Sequence, residues 1–440
     1  MDKKGIIVKM EKGKVAFHTL GCKVNQYETN GMIQKFIQAG YAIVPFTEIA
    51  DIYIINTCTV TNMSDRKTRQ YFRRAKKINP TAIIVAVGCY AQVKKEKLQE
   101  IPEIDLILGT NEKSNIVVYV EQYLNQKSKN KVISDVMQER EFSDFGNVTY
   151  TENARATIKI QDGCDRFCTY CIIPYARGRI RSRKQENVIE EIQELTKKGI
   201  KEVVITGIHI ASYGKDWNEK DALIELLEKI NTIKGIERIR LGSLEPTLIT
   251  EEWVKRLKKL EKICDHFHLS MQSGCDETLK RMNRRYTVEN MLQSIEILRN
   301  EFPEVALTTD IIVGFPGETE EEFQKTYEVL QKIKFYKIHV FPYSKREGTK
   351  AAQMEGQIPE EIKQERSKIL IQLSNQEEEK FLKKYIGKKV KVLWEEKIKG
   401  EIKGHTTNYM VVKQKNEKLK NEIEEVLISS IENLELISDM

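Results

Sequence analysis

The chain reads as an α/β protein in three parts: a parallel-sheet domain, a longer βα repeat that suggests a partial barrel, and a small all-β barrel. Three observations predict this. Residues 14 to about 125 alternate short apolar runs with amphipathic stretches. From 155 a strand-then-helix pattern recurs six times at intervals of roughly 30 to 40 residues. After about 383 short alternating runs are separated by turn residues. A chain of 440 residues is also too long for one ordinary core, so about two to four domains are expected.

In the first part, 14–125, KVAFHTL (14–20), DIYIIN (51–56) and AIIVAV (82–87) read as buried parallel strands, with helices around 26–38 and 64–77. The charged stretch 126–153, with QKSKNK and QEREFSDFG, reads as a linker, some of it ordered against a neighbour. The second part, 154–380, has strands at 156–161, 202–206, 238–243, 266–271, 306–312 and 337–341. Helical stretches at 186–198, 221–231, 249–262, 287–300 and 319–332 lie between them. A helix around 360–385 leads into the third part, 383–440, where four or five short strands suggest the small barrel.

The net charge of +7 permits a polyanionic partner without demanding one. From Lys383 onward, 12 lysines stand against 10 acids, which a solvated surface explains equally well. No stretch approaches roughly 18 apolar residues, and MDKKGIIVKMEKGK lacks an apolar signal region, so no membrane association and a cytoplasmic location are expected. There, eight cysteines are better read as metal ligands or redox groups than as a disulfide framework.

Cys164, Cys168 and Cys171 fall within eight residues, in GCDRFCTYC. Zinc commonly takes four ligands as two separated pairs, and a loop with Asp162, Gly163, Asp165, Arg166 and Thr169 is a poor core segment. Three thiolates on one loop can hold three irons of a cubane cluster that normally takes four cysteines. The fourth iron is then open to a ligand that is not protein, as reductive cleavage of S-adenosylmethionine (SAM) requires. The loop follows the first strand of the repeat, at the carboxyl edge where such folds place chemistry. Three more cysteines leave the three N-terminal strands at one offset, in Leu-Gly-Cys22, Asn-Thr-Cys58 and Val-Gly-Cys89. Any one alone suits core packing; together they would converge at the carboxyl edge of the sheet, implying a second cluster with one open iron.

The cysteine triplet, with Tyr170 before its last member, resembles the signature of the radical-SAM superfamily. From about Lys14 to the end the chain resembles the methylthiotransferases of that superfamily. The stretches that carry this are HTLGCKVNQYE (18–28), CTYCIIPYARGRIRSR (168–183), TGIHIASYG (206–214), HLSMQSGCDETLKRMNRRYT (268–287), TDIIVGFPGET (309–319) and HVFPYSKREGT (339–349). Within the family it is most similar to the bacterial branch that modifies N6-threonylcarbamoyladenosine at position 37 of tRNA. The phrase Gly21-Cys22-Lys23-Val24-Asn25 discriminates best, since the branch acting on isopentenyladenosine typically has glutamine and methionine where Lys23 and Val24 stand.

The resemblance implies a flavodoxin-like N-terminal domain, a partial (βα)6 radical-SAM barrel and a C-terminal RNA-binding TRAM (OB-like) barrel. It implies two 4Fe–4S clusters, one on Cys22, Cys58 and Cys89 and one on Cys164, Cys168 and Cys171. The second would bind SAM and release a 5′-deoxyadenosyl radical. The first would carry a sulfide that another SAM methylates, and the product would be a methylthio group on C2 of the adenine. Implied partners are the anticodon stem-loop of an ANN-decoding tRNA, a reducing electron donor such as flavodoxin or ferredoxin, and a sulfur donor. Residues at or near the strand carboxyl ends are candidates to position SAM: Thr206, Gly207, Ser243, Glu245, Gln272, Ser273, Asp310 and Phe341. Glu245 and Asp310 could hydrogen-bond the cofactor, and Tyr170 or Phe341 could pack on its adenine. Arg285 could pair with the SAM carboxylate, with plain surface exposure as the alternative.

Cys264 and Cys275 read as structural, as does Trp394 in the small barrel. Two basic runs are candidates for RNA: Arg66, Lys67, Arg69, Arg73, Arg74, Lys76 and Lys77, and the alternating Arg177, Arg179, Arg181, Arg183 with Lys184, which could line a phosphate track. The rival readings are the isopentenyladenosine-37 branch, a branch acting on a ribosomal-protein aspartate, and a non-catalytic iron–sulfur RNA-binding protein.

Overall fold

Apolar runs without a polar face must be covered on both sides, and the first sheet shows this. The computed structural model describes residues 12–59, 62–126, 130–151, 154–398, 400–415 and 421–439. They divide into two units, one holding the described residues up to Tyr150 with Ile172–Arg179, the other Thr151–Cys171 and those from Ile180 onward.

The first unit is built on β1 (Lys14–Thr19), β2 (Ala42–Val44), β3 (Ile52–Thr57), β4 (Ile83–Gly88), β5 (Leu106–Leu108) and β6 (Asn130–Val132). All pair in parallel, in the order β2-β1-β3-β4-β5-β6. Its helices are α1 (Lys23–Gln38), α2 (Asn62–Ile78), α3 (Cys89–Val93), α4 (Lys95–Gln99), α5 (Ile116–Gln126) and, from the distant segment, α6 (Ile173–Arg177). Alternation within β3 sends Ile54 into one apolar layer with Tyr27, Met32 and Phe36, and Tyr53 and Ile55 into the other with Phe72.

The stretch read as a linker is largely part of this unit. β6 extends the sheet, and Phe145 and Val148 are buried in its core. Gln34 ties down the following backbone, donating to Asn147 O (2.7 Å) and accepting from Thr149 N (2.8 Å) and Tyr150 N (3.1 Å). Two apolar anchors in a charged segment suffice when a neighbouring side chain takes up the backbone hydrogen bonds. Residues 127–129 and 152–153 lie outside the described ones.

In the second unit β7 (Arg155–Asp162), β9 (Glu202–Gly207) and β10 (Arg238–Leu241) are parallel, and the two-residue β8 (Arg181–Ser182) runs antiparallel beside the end of β7. β11 (His266–Gln272), β12 (Ala306–Val313) and β13 (Lys337–Pro342) form a second parallel sheet. Bridges at Ile239–Ile263 and Leu244–Leu269 link β10 to the β11 side. The intervening helices are α7 (Gln185–Lys197), α8 (Ala222–Asn231), α9 (Glu251–Lys258), α10 (Asp276–Arg281), α11 (Val288–Glu301), α12 (Glu320–Ile333) and α13 (Glu360–Lys383). Thr287 and Thr319 start α11 and α12 with capping boxes.

The last strands, β14 (Lys389–Ile398), β15 (Glu401–Thr406), β16 (Val411–Gln414), β17 (Ile423–Glu432) and β18 (Glu435–Ser438), close into a barrel in the order β14-β15-β16-β18-β17. Trp394 is fully buried in it and donates Nε1–H to Glu424 Oε2 at 2.9 Å. The barrel is fastened to the amino ends of the parallel strands. Arg240 donates to Glu202 Oε1 (2.7 Å), Thr407 O (2.8 Å) and Thr406 O (3.1 Å), and lies over the Tyr409 ring. Arg238 donates to His405 O and Lys391 O, both at 2.9 Å. No described helix is long and apolar enough to cross a membrane.

Glu202 is fully buried among Arg240, Arg238 and Arg155. Burial opposes its charge, but Arg240 above all, then Arg155 and Arg238, hold the carboxyl below its ordinary value. Its stabilisation is therefore complete above about pH 4.3, the unfolded value, and is lost as pH falls through the lower folded one. Glu202→Gln should cost on the order of 3–5 kcal/mol at pH 7, because it leaves buried arginines uncompensated. Urea denaturation of the two proteins at pH 7 and in acid checks this, the difference shrinking in acid.

Candidate active site

The three N-terminal cysteines follow three adjacent strands. Thr19 pairs with Asn56 across β1 and β3, and Thr57 with Gly88 across β3 and β4. Each chain then turns sharply. Gly21 (φ +108°) precedes Cys22, and Gly88 (φ +103°) precedes Cys89. A side chain at Gly21 would begin 2.9 Å from Cys58 Sγ, so only glycine lets these two loops approach so closely. Cys22 is exposed at the start of α1, whereas Cys58 and Cys89 are buried.

Asn25 binds these loops together, with Nδ2 donating to Leu20 O (2.7 Å) and Thr57 O (3.1 Å). Below them Lys113 is fully buried in an ion pair with Glu28, whose other oxygen accepts from Arg177 Nη1 at 2.5 Å. Arg177 Nη2 also donates to Asn25 Oδ1 at 2.7 Å. Burial pulls the Lys113 ammonium down, Glu28 pushes it up, and Cys89 is among the groups that favour its charge. A buried ammonium beside Cys89 suits a thiolate there.

The second cysteine set lies on the loop after β7. Gly163 (φ +70°) and Phe167 (φ +48°) shape it, and Cys171 N–H donates to Cys168 O at 2.9 Å. Neighbouring chain holds it on two sides: Thr169 N donates to Met282 O (3.1 Å), Thr169 Oγ1 to Arg281 O (2.9 Å), and Asn283 Nδ2 to Phe167 O (3.1 Å). Burial pushes the Cys164 thiol up to about 11. Arg284 Nη1 donates to Cys168 Sγ at 3.2 Å, its Nη2 to Ser270 O at 3.2 Å and its Nε to Tyr286 Oη at 2.8 Å. A cation so placed favours a thiolate at Cys168. No group of three or more His, Cys, Asp or Glu side chains among the described residues converges as a single metal ion needs. A cube is held instead from separate corners, and a clamped loop with spaced thiols fits that geometry.

Glu245, buried just after β10, is the charge centre beside this loop. It forms an ion pair with Arg166, lies 3.4 Å from His209 Nε2 and 4.0 Å from Arg284 Nη2, and accepts from Thr247 Oγ1 at 3.1 Å. Burial opposes its ionisation, yet His209, Arg166 and Arg284 together hold it at about 2. His209 is itself pulled below the ordinary histidine value by burial, and its Nδ1 meets Ser212 Oγ at 2.6 Å. We therefore assign the low Glu245 value to the two guanidiniums, with a neutral imidazole alongside.

The other expected positions divide. Thr206 is buried at the end of β9, and Gly207 gives room to Gln161, whose Oε1 lies 2.9 Å from where its side chain would begin. Ser243 is exposed after β10, and Gln272 ends β11 with φ +68°. Ser273 is buried against Thr326 (3.3 Å) and accepts from Cys275 N, a structural arrangement. Asp310 lies 3.2 Å from His268 Nε2, and Phe341 ends β13 with 48% of its surface exposed. Tyr170 packs edge-on to Phe315, and burial raises its phenol well above the usual value. Cys264 and Cys275 are buried apart from both sets, the Cys264 thiol pushed up to about 12 by burial.

The phosphate track is not formed as expected. Arg177, Arg181 and Arg183 are buried, with Glu28, Asp162 and Glu191 as partners, and only Arg179 and Lys184 are exposed. Alternation that looks like a charged ribbon here follows the inward positions of β8 and its flanks. In the first run Arg69 reaches Tyr90 Oη (3.3 Å) and Lys76 pairs with Asp105 (3.0 Å), while the side chains of Arg66 and Lys67 lie outside the described ones. Sequence reasoning missed Arg166, His209 and Arg284, which carry no spacing signal and are recruited by the loops around Glu245.

A parallel βα array with a three-cysteine loop at its carboxyl edge defines a class of SAM-dependent radical enzyme scaffold. The model of the Radical SAM superfamily matches residues 158–330, and that of Uncharacterized protein family UPF0004 matches 14–109. The chain is 44% identical over 404 residues to a threonylcarbamoyladenosine tRNA methylthiotransferase, MtaB, of Bacillus subtilis (90% of this chain, 89% of that one). It is 42% identical to its namesake in Aquifex aeolicus (94% and 100%). A tRNA-2-methylthio-N(6)-dimethylallyladenosine synthase of Clostridium tetani is 38% identical (89% and 88%). Among solved structures, a radical S-adenosylmethionine methyltransferase, TsrM, from Kitasatospora setae shares the fold at TM-score 0.56 and 14% identity (76% and 72%). The chain belongs to the tRNA methylthiotransferase family of the radical SAM superfamily. Membership implies a 4Fe–4S cluster and SAM as cofactors.

Gly21→Ala should force the Cys58 loop outward. A non-glycine residue at this φ costs on the order of 1–3 kcal/mol, so Cys58 alkylation in the cofactor-free protein should quicken by about tenfold or more. Gly40→Ala, also at positive φ but with nothing within 4 Å, should leave that rate unchanged. Peptide mapping after timed iodoacetamide treatment reads both.

Proposed function

We propose that this chain places a methylthio group on C2 of N6-threonylcarbamoyladenosine at position 37 of tRNA, with two 4Fe–4S clusters and SAM. The observation that carries it is the pair of three-cysteine sets at parallel-strand carboxyl edges, in a chain 44% identical to a methylthiotransferase named for that nucleoside. The C2 hydrogen of adenine is too weakly acidic for any side chain to remove as a proton, so the hard step belongs to the cofactors. Bound at Cys164, Cys168 and Cys171 and at Cys22, Cys58 and Cys89, the clusters supply an electron for SAM cleavage and a site for the inserted sulfur.

The chain's own residues hold and orient. Glu245 stays ionised and offers a carboxylate to the SAM ammonium, in company with Arg166 and Arg284. Arg284 steadies the Cys168 thiolate. Thr206, Gly207, Ser243 and Gln272 border the same edge, where Asp310 faces the cofactor's hydroxyls and exposed Phe341 offers a ring for adenine. We read the βα repeat as a partial (βα)6 barrel and the closed five-stranded barrel as a TRAM domain. The reading also calls for a flavodoxin- or ferredoxin-like reductant, a sulfur donor, and the anticodon stem-loop of an ANN-decoding tRNA, whose unpaired bases can be turned outward.

Nucleoside analysis of tRNA from cells lacking the gene tests the substrate. The 2-methylthio form of threonylcarbamoyladenosine should disappear; an unchanged level, or loss of the isopentenyl counterpart instead, overturns the assignment. In reconstituted protein, iron should be about eight atoms per chain and fall to about four in Cys168→Ala, which should also cease to cleave SAM.

A further inference from the structure

Most cations around the Cys164 loop are already engaged: Arg166 with Glu245, Arg281 with Glu322, and Arg284 with Cys168 and Ser270. Lys215 and Arg285 differ. Both are exposed, and neither makes a hydrogen bond or ion pair among the described residues. Yet their backbones are pinned. Next to Lys215, Gly214 N donates to Ser182 Oγ at 2.9 Å, and Asp216 accepts from Ser182 N and Oγ at 2.8 and 2.6 Å. Arg285 sits between Arg284 and Tyr286, both bonded to Ser270 O. Two unpartnered cations are thus presented from rigid loops, after β9 and β11, at the carboxyl edge that carries the catalytic loop.

They are also neighbours of one another and of the chemistry. Burial, then Arg166 and Arg285, pull the Lys215 ammonium below its ordinary value, while Glu245 and Cys164 act the other way. Lys215 further lines a cavity of about 640 Å³ with Thr247, and Thr247 donates to Glu245. Like charges held together without a carboxylate between them favour an anion from outside.

Two anions of an RNA substrate could meet that need, a backbone phosphate or a charged group on the base. A base attacked beside Cys164 must lie here itself, so the group on its far edge falls nearer these loops than the backbone does. The threonylcarbamoyl substituent ends in the carboxylate of threonine, whereas the dimethylallyl group named for the Clostridium tetani relative is uncharged and apolar. From this geometry we infer that Lys215, with Arg285 beside it, binds the carboxylate of the N6 substituent and so selects threonylcarbamoyladenosine over neutral N6 groups. This rests on the substrate proposed above.

The test uses the full, reconstituted protein and three anticodon stem-loop RNAs. One carries threonylcarbamoyladenosine at position 37, one its methyl ester, and one isopentenyladenosine. Wild type should bind and modify the first best, with the ester weakened about tenfold or more, as for loss of a charged hydrogen bond. Lys215→Met and Lys215→Met/Arg285→Gln should bind acid and ester alike, while iron content and RNA-free SAM cleavage stay at wild-type levels. Lys215→Arg should keep part of the preference. Equal weakening on all three RNAs would assign the pair to phosphate, and a raised requirement for SAM with the acid–ester preference intact would assign it to the cofactor; either overturns the inference. Failure of wild type to modify the first RNA would instead overturn the substrate assignment.

Discussion

In a parallel sheet every strand delivers its carboxyl end to the same edge, and the chemistry of both units rests on that polarity. In the first unit it sets Cys22, Cys58 and Cys89 after three neighbouring strands, although they are some 30 residues apart in sequence. In the second it sets the Cys164–Cys171 loop, His209, Glu245 and Arg284 after successive strands of one array. No single loop in either unit need be long, because the sheet does the gathering. The requirement passes instead to the turns, which must leave the strand abruptly, and Gly21 and Gly88 adopt the positive φ that allows it.

Burial of charge is the second organising term. Lys113, Arg177, Arg183, Arg240, Glu28, Glu191 and Glu202 are all essentially inaccessible, and each lies in an ion pair. Such pairs add little net stability relative to an apolar core of the same shape, but removing one partner is expensive. They therefore specify arrangement more than they strengthen it. Asn25 and Glu28 can both be satisfied only with Arg177 in place, so the α6 segment is fixed to α1 by directional bonds rather than by apolar area alone.

Strand and helix periodicity made the long elements legible: the nine longer parallel strands expected at 14–20 through 337–341 are all present within a residue or two. The three-residue β2, β5 and β6 were not, since no period is visible over so short a run. Cysteine spacing marked both sets because three thiols at one offset from a strand end are rare by chance. Charge was the poor guide. The sequence Arg177-x-Arg179-x-Arg181-x-Arg183 looks like a solvent ribbon, but three of the four point inward to acids that lie 149, 19 and 8 positions away. Arg166, His209 and Arg284 were invisible for the converse reason: only the folded loops show that they share one carboxylate.

The position of the small barrel constrains how RNA can reach the catalytic edge. Its anchors are the first residues of the strands: Arg155, Glu202, Arg238 and His266, with Tyr409 stacked on the His266 ring at 4.8 Å. The cysteine loop leaves the other end of the same strands. The β9 strand has six residues and β11 seven, so barrel and loop stand about 20 Å apart along the strand direction. One RNA that touches both must run along the side of the strand array, with its base-bearing loop at the carboxyl edge and its stem toward the barrel. A stem-loop is long enough and stiff enough to do this, and a free nucleoside is not. The buried arginines that bolt the barrel to the strand ends then hold that separation fixed, so that a grip on the stem positions the base.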